Sequence, residues 1–311
     1  MKAIVTGASG FIGHHLCRAL QQRGYWVYGV DIRPPLGEWD YPYNGFGTMD
    51  LRRPFNLPMP CDEVYALAAD MGGMGFLRSA ECRIMRNNAL INANTLHAAA
   101  EARVPRYFFS SSVCVYRDMQ PDEPELMEDD AYPANPDNEY GWEKLFAERM
   151  ALTYARHCNM KVRIARFQNC YGPECAWTGG REKAPAAICR KVAEVEHGGT
   201  IEVWGDGTAT RSYTYVDDLL EGIFALMHSD LEGPVNIGSS QKVSVDEMVA
   251  TIALVADKWI NIEHVEGPVG VQARNFSKAH IHSLGWKAKT PFRDGIALTY
   301  PWIERRVCST T

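Results

Sequence analysis

Short apolar runs and amphipathic stretches alternate along the chain. Lys2-Ala3-Ile4-Val5 is apolar without alternation, the pattern of a strand buried on both faces, and after a glycine-rich turn the spacing becomes that of an amphipathic helix. Tyr25 to Val30 predicts a second strand, ending at Asp31, and Thr48 to Arg52 ends a short third one within a Pro-, Gly- and aromatic-rich stretch. Glu63 to Ala69 predicts the next buried strand. Residues 81–103 predict one helix, with Ile84, Leu90, Ile91 and Leu96 on its apolar side and Asn87, Asn88, Asn92 and Asn94 interspersed. A strand from Arg106 to Ser110, a second long helix over 138–157 and a strand from Val162 to Phe167 follow. Strands that alternate with helices in this way predict an α/β fold built on a doubly wound parallel sheet.

The turn after the first strand narrows the class. Thr6-Gly7-Ala8-Ser9-Gly10-Phe11-Ile12-Gly13 places three glycines between a strand and a helix. Gly7 permits the tight turn, Gly10 lets the backbone approach a pyrophosphate, and Gly13 lets the helix pack close to the sheet, with the helix N–H groups facing the phosphate. Asp31 then stands where an acid bonds the ribose hydroxyls of a dinucleotide. That is the Rossmann arrangement, and the acid favours NAD over NADP, although Arg33 could meet a 2′-phosphate. Asp50 is placed near the adenine or is simply a turn acid. Phe11, Ile12, Leu67, Ala69, Ser110 and Phe167 complete the expected cofactor contacts from the turn and the strand ends. A Rossmann domain over 1–168 and a smaller α/β substrate-binding region over 169–311, with some segments returning to the first, are the expected division.

Composition excludes more than it adds. At 311 residues the chain can bury a large core, and a net charge of −6 leaves no basic footprint for nucleic acid. No apolar run reaches the ~18 residues of a membrane span, and the absence of a leader predicts a cytoplasmic protein. Nine cysteines with no Cys-x-x-Cys pair predict free thiols and no metal site. The two long helices predict a homodimer.

The chemistry concentrates in two places. Tyr140 and Lys144 lie four apart on the second long helix, where an ammonium beside a phenol favours the phenolate and makes Tyr140 a base near neutral pH. Ser112, at a strand end, can bond the same substrate oxygen, so the three form a set that moves a proton while NAD takes a hydride. The same spacing also suits a solvated surface pair. Asp70-Met71-Gly72-Gly73-Met74-Gly75-Phe76 follows a strand, at the sheet end where ligands bind, and is otherwise a flexible connection.

Thr6 to Gly13, Ser112 and Tyr140-Gly141-Trp142-Glu143-Lys144 resemble the extended short-chain dehydrogenase/reductase superfamily, and the resemblance covers most of the chain. Asn169 to Pro173, Trp204 to Gly207 and Arg211 to Asp218 resemble its nucleotide-sugar enzymes, in which Arg211 would approach the diphosphate and Asp217 would brace the loop. Ala69 to Phe76, Gly179 to Ala186 and Cys114 resemble the GDP-mannose 3,5-epimerase family, whereas a dehydratase would carry Asp-Glu in place of Val113-Cys114. This resemblance implies Cys114 as base at carbons 3 and 5 and Lys183 as acid on the opposite face. It also implies Asn169, Lys191 and Arg274 on the nucleotide diphosphate, with Met71, Gly72, Glu182 and Trp204 also at the substrate. A ketone at carbon 4 acidifies both neighbouring C–H groups, and inversion needs a base on one face and an acid on the other. Without the resemblance, Cys114 reads as a small buried hydrophobe and Lys183 as a loop lysine.

Three positions depart from the pattern: Ala209 stands before Thr210-Arg211-Ser212, Gln272 replaces an expected arginine, and Lys278 occupies a slot where an acid is common. All lie on the nucleotide side. Two other classes of function stay open, a plain 4-epimerase or 4-reductase with Cys114 and Lys183 as bystanders, and an NAD-binding sensor or scaffold without turnover.

Overall fold

The computed structural model describes residues 1–35, 40–120, 123–267 and 274–310, so Gln272 lies outside the described residues. In chain order the elements begin β1 (Lys2–Thr6), α1 (Phe11–Gln22), β2 (Trp26–Asp31), β3 (Gly45–Thr48), β4 (Glu63–Ala66), α2 (Met74–Ser79), α3 (Glu81–Glu101) and β5 (Arg106–Ser112). After α4 (Glu139–His157) and β6 (Lys161–Phe167) come β7 (Asn169–Tyr171), α5 (Ala184–Glu194), β8 (Thr200–Trp204), β9 (Thr210–Tyr215) and α6 (Val216–Met227). The chain ends with β10 (Pro234–Ile237), β11 (Lys242–Ser244), α7 (Val245–Val255), β12 (Asn261–Val265), α8 (Ala279–Ser283) and α9 (Phe292–Thr310).

Seven strands form one parallel sheet in the order β10-β6-β5-β4-β1-β2-β3. The doubly wound expectation holds, and alternation within β1 shows how: Ala3 and Val5 join the apolar layer that includes Leu16, Leu20, Leu219 and Ile223 of α1 and α6. Ile4 joins the opposite layer, with Leu96 of α3 and Ala147 and Ala151 of α4. Strand order reverses between β1 and β4, and the crevice outside their carboxyl ends is where such sheets take ligands. Two small sheets, β11-β9-β7 and β12-β8, stand beyond β6 in the chain.

Two elements depart from the hydropathy reading. β4 stops at Ala66, three residues short of the expected end, because side chains take over the backbone there: Ala68 N donates to Thr6 Oγ1 at 3.3 Å and Asp70 N to Asn88 Oδ1 at 2.7 Å. In α3 the asparagines point inward. Asn87, Asn88 and Asn92 are buried, while Leu90 and Ile91 are only partly so, and Asn92 Nδ2 donates to Glu143 Oε1 of α4 at 2.6 Å. On the outside, Met85, Trp142 and Phe146 of α3 and α4 are exposed. No described helix is long and apolar enough to cross a membrane.

Candidate active site

The turn after β1 is closed to side chains at two points. Gly7 sits at φ +72°, and a methyl there would stand 2.8 Å from Ala68 N; a methyl at Gly13 would overlap the Gly7 carbonyl oxygen. Gly13 therefore lets α1 start directly against the turn that leaves β1. Gly10 caps α1 without a side-chain partner, which leaves the first helical N–H groups open to an anion. Asp31 is fixed in place, since its carboxylate accepts the N–H groups of Ser9 and Arg33, both at 3.1 Å. These features fit a dinucleotide. Gly13→Ala must displace the turn at about 1–3 kcal/mol. A lower melting temperature and NAD affinity reduced at least about fivefold are expected from calorimetry.

The other cofactor candidates divide. Leu67 and Ala69 run past the glycine turn and are partly buried, as are Phe11, set edge-on to His15, and Ile12. Phe167 ends β6 beside Phe108. Arg33 is exposed, and its carbonyl accepts Ser9 Oγ at 3.0 Å. Asp50 gives both carboxylate oxygens to Arg52 at 2.7 Å, a pairing that lowers its carboxyl to about 2. Ser110 acts through its backbone: its hydroxyl donates to Ala66 O at 2.9 Å, while its carbonyl accepts Lys144 Nζ at 2.8 Å.

At the carboxyl end of β5 the catalytic candidates meet. Ser112 Oγ accepts Cys114 N–H at 3.2 Å and hydrogen-bonds the Tyr140 phenol, whose Oη also reaches Met71 Sδ at 3.6 Å. Tyr140 and Lys144 are buried, 5% and 1% exposed, so the solvated surface pair is excluded. The electrostatics correct the sequence expectation. Burial pushes the phenol well above the usual tyrosine range, and it pushes the Lys144 ammonium down. The ammonium sits 5.7 Å from the Tyr140 ring centroid and donates one hydrogen bond to Ser110 O. Glu148, one turn beyond Lys144, binds Ser111 Oγ and Arg166 (2.7 and 2.9 Å), and this buried pair braces α4 against β5 and β6.

Cys114 packs on the cluster that includes Tyr140 and lies within electrostatic range of Lys144, Lys183 and Arg274. Gly141 makes this possible, because a methyl there would overlap the Cys114 carbonyl oxygen as α4 crosses the turn. Lys183 caps α5, and burial lowers its ammonium. Glu182 beside it has one carboxylate oxygen buried with no hydrogen-bond partner, and Gly72 packs on Phe76 in the facing loop.

Asn169, Arg211 and Arg274 line one small cavity with Val113, Gln168 and Phe276. Arg274 donates to Val113 O and to Asp137 Oδ2, both at 2.9 Å, and no spacing in the sequence pointed to Asp137. Lys191 is elsewhere, its Nζ on Glu202 O at 2.6 Å, and Trp204 is half exposed against Gly267. The brace expected of Asp217 belongs to Asp218, whose Oδ2 accepts the N–H groups of Lys289 at 3.0 Å and Thr290 at 2.8 Å; Asp217 is exposed. Among the described residues His14, Asp40 and Glu174 bring their ligand atoms within 4.8 Å of one another, but Arg18 already binds both carboxylates there.

A buried serine, tyrosine and lysine at the carboxyl end of the same sheet whose first turn suits a dinucleotide define an extended short-chain dehydrogenase/reductase. Residues 3–238 match the NAD dependent epimerase/dehydratase family, and the chain belongs to it. It is 40% identical over 314 residues to GDP-mannose 3,5-epimerase 1 of Oryza sativa subsp. indica, covering 99% of this chain and 82% of the rice protein. Among solved structures, MoeE5 in complex with UDP-glucose and NAD superposes with TM-score 0.84 at 28% identity, over 99% of this chain and all of that one. UDP-glucose 4-epimerase of Thermotoga maritima with UDP-glucose shares the fold at TM-score 0.87 and 22% identity, over 99% and 100% of the two chains.

Proposed function

We propose that this chain catalyses the 3,5-epimerisation of GDP-mannose, to GDP-L-galactose, GDP-L-gulose or both, with NAD restored in every turnover. The observation that carries this reading is Cys114, which packs on the cluster that includes Tyr140, follows Ser112 in the same turn and lies within electrostatic range of Lys144 and Lys183. NAD, when bound, supplies the hydride acceptor for carbon 4 and a positive ring that favours the phenolate. Gly7, Gly10, Gly13 and Asp31 would hold it. Tyr140 takes the proton of the carbon 4 hydroxyl, and Ser112 bonds the same oxygen. Cys114 then removes the acidified protons at carbons 3 and 5, and Lys183, its pKa already lowered by burial, returns a proton on the other face. Arg211, Arg274 and Asn169 would grip the diphosphate, and the unpartnered oxygen of Glu182 would accept a hydroxyl.

The reading extends to a substrate region from residue 169 onward, a cytoplasmic location, and a homodimer that covers Met85, Trp142 and Phe146 on α3 and α4.

The test is incubation with GDP-mannose in deuterated water. Deuterium at carbons 3 and 5 of inverted products is expected, with no NADH accumulating in step with product and little response to added NAD. Product labelled at neither carbon would overturn the reading in favour of a plain 4-epimerase.

A further inference from the structure

The loop that follows β4 and the loop that leads into α5 are far apart in sequence and sewn together in space. Arg181 Nη2 donates to Asp70 Oδ1 at 3.0 Å across 111 residues, its Nη1 donates to Met71 O at 2.9 Å, and its guanidinium lies 3.9 Å from the centre of the Phe76 ring. The backbone closes the same seam, with Gly73 N donating to Arg181 O at 3.1 Å, and a methyl at Gly73 would press on the Glu182 carbonyl. Asp70 is the fixed side. It receives Arg83 Nε at 3.0 Å and Asn87 Nδ2 at 2.9 Å, and its backbone is held at both ends by the buried Asn88. Burial alone would raise its carboxyl, but the hydrogen bonds of Arg83, Asn87 and Arg181 overcome that and hold it below the usual range.

The seam ends on two groups of the site. On one side Met71 Sδ meets the Tyr140 hydroxyl; on the other, Lys183 follows Arg181 by two residues. We propose that Asp70 and Arg181 are positioning residues that set the lysine end of the site: the Asp70–Arg181 clamp fixes Lys183 relative to Tyr140 and so governs from which face the sugar is reprotonated. The inference rests on the epimerase reading. It explains why a loop with three glycines carries so many polar anchors: a glycine-rich chain holds a position only when side chains from elsewhere fix it.

The readout is the ratio of inverted product to deuterium exchange with retention, measured on the purified holoenzyme. Misplacing an acid by about an ångström can cost up to about 100-fold in its step. Arg181→Gln is expected to lower the ratio at least about 10-fold. Exchange by Cys114 should stay within about threefold and the KM for GDP-mannose should change less than the ratio, since Met71 and Glu182 border the clamp but Asn169, Arg211 and Arg274 line a separate cavity. Arg181→Lys, which keeps the charge but not the fork that spans Asp70 and Met71, should fall between. Asp70→Asn, isosteric, should lower the ratio in the same direction and serves should Arg181→Gln prove unstable to heat. An unchanged ratio in Arg181→Gln and Asp70→Asn overturns the inference, whether activity is normal or exchange and inversion fall together, as does a rise in KM alone. Wild-type enzyme that neither exchanges nor inverts overturns the epimerase reading instead.

Discussion

Tyr140→Phe is expected to lower turnover at least about 100-fold while GDP-mannose still binds. The substitution keeps the ring among Leu77, Ile84 and Met71 and removes only the hydroxyl that links Ser112 and Met71, so packing survives and the proposed proton acceptor does not. Because burial holds the phenol high, the wild-type rate should also climb with pH through the neutral range, the deprotonated form being the active one. The variant should lose that climb along with its rate. Steady-state kcat and KM across pH measure both, and near-normal turnover would remove Tyr140 from the mechanism.

Cys114→Ala and Lys183→Ala should fail in different ways, although each removes one end of the same proposed proton path. Without the thiol, oxidation at carbon 4 remains possible but carbons 3 and 5 keep their hydrogens; deuterium wash-in should vanish and NADH should persist with substrate bound. Without the ammonium, the thiol can still remove and return a proton on its own face, so exchange with retention should continue while inverted products fall at least about 100-fold. Absorbance at the reduced nicotinamide band and NMR of the sugar separate the two. Wild-type exchange in Cys114→Ala would leave the thiol a packing residue and favour a plain 4-epimerase.

How much of this was written locally is visible in particular residues. The glycine turn, the acid ending β2 and the Tyr140–Lys144 spacing follow from backbone sterics and helix periodicity, which a few consecutive residues carry, and the structure keeps all three. The resemblance reached further, to Cys114 and Lys183, which no local pattern separates from a core cysteine and a loop lysine.

Other assignments depended on which partner a polar group meets, and that is decided by packing. Asn87 and Asn88 are only interspersed along a helix until Asp70 is placed beneath them, and Asp218, not Asp217, turns inward to brace the 289–290 backbone. The resemblance put Lys191 on the diphosphate, and its ammonium meets a carbonyl of β8. The Tyr140 phenol is a base by spacing, yet its ionisation depends on how deeply it is buried and on where the Lys144 ammonium points. By itself the sequence determined the alternation of strands and helices up to β6, the dinucleotide turn and the residue types available for chemistry, because those depend on near neighbours. The tertiary structure alone decided which carboxylate pairs with which cation and how far each proton donor is desolvated, because hydrogen bonds and burial join residues that the chain keeps a hundred or more positions apart, as with Asp70 and Arg181.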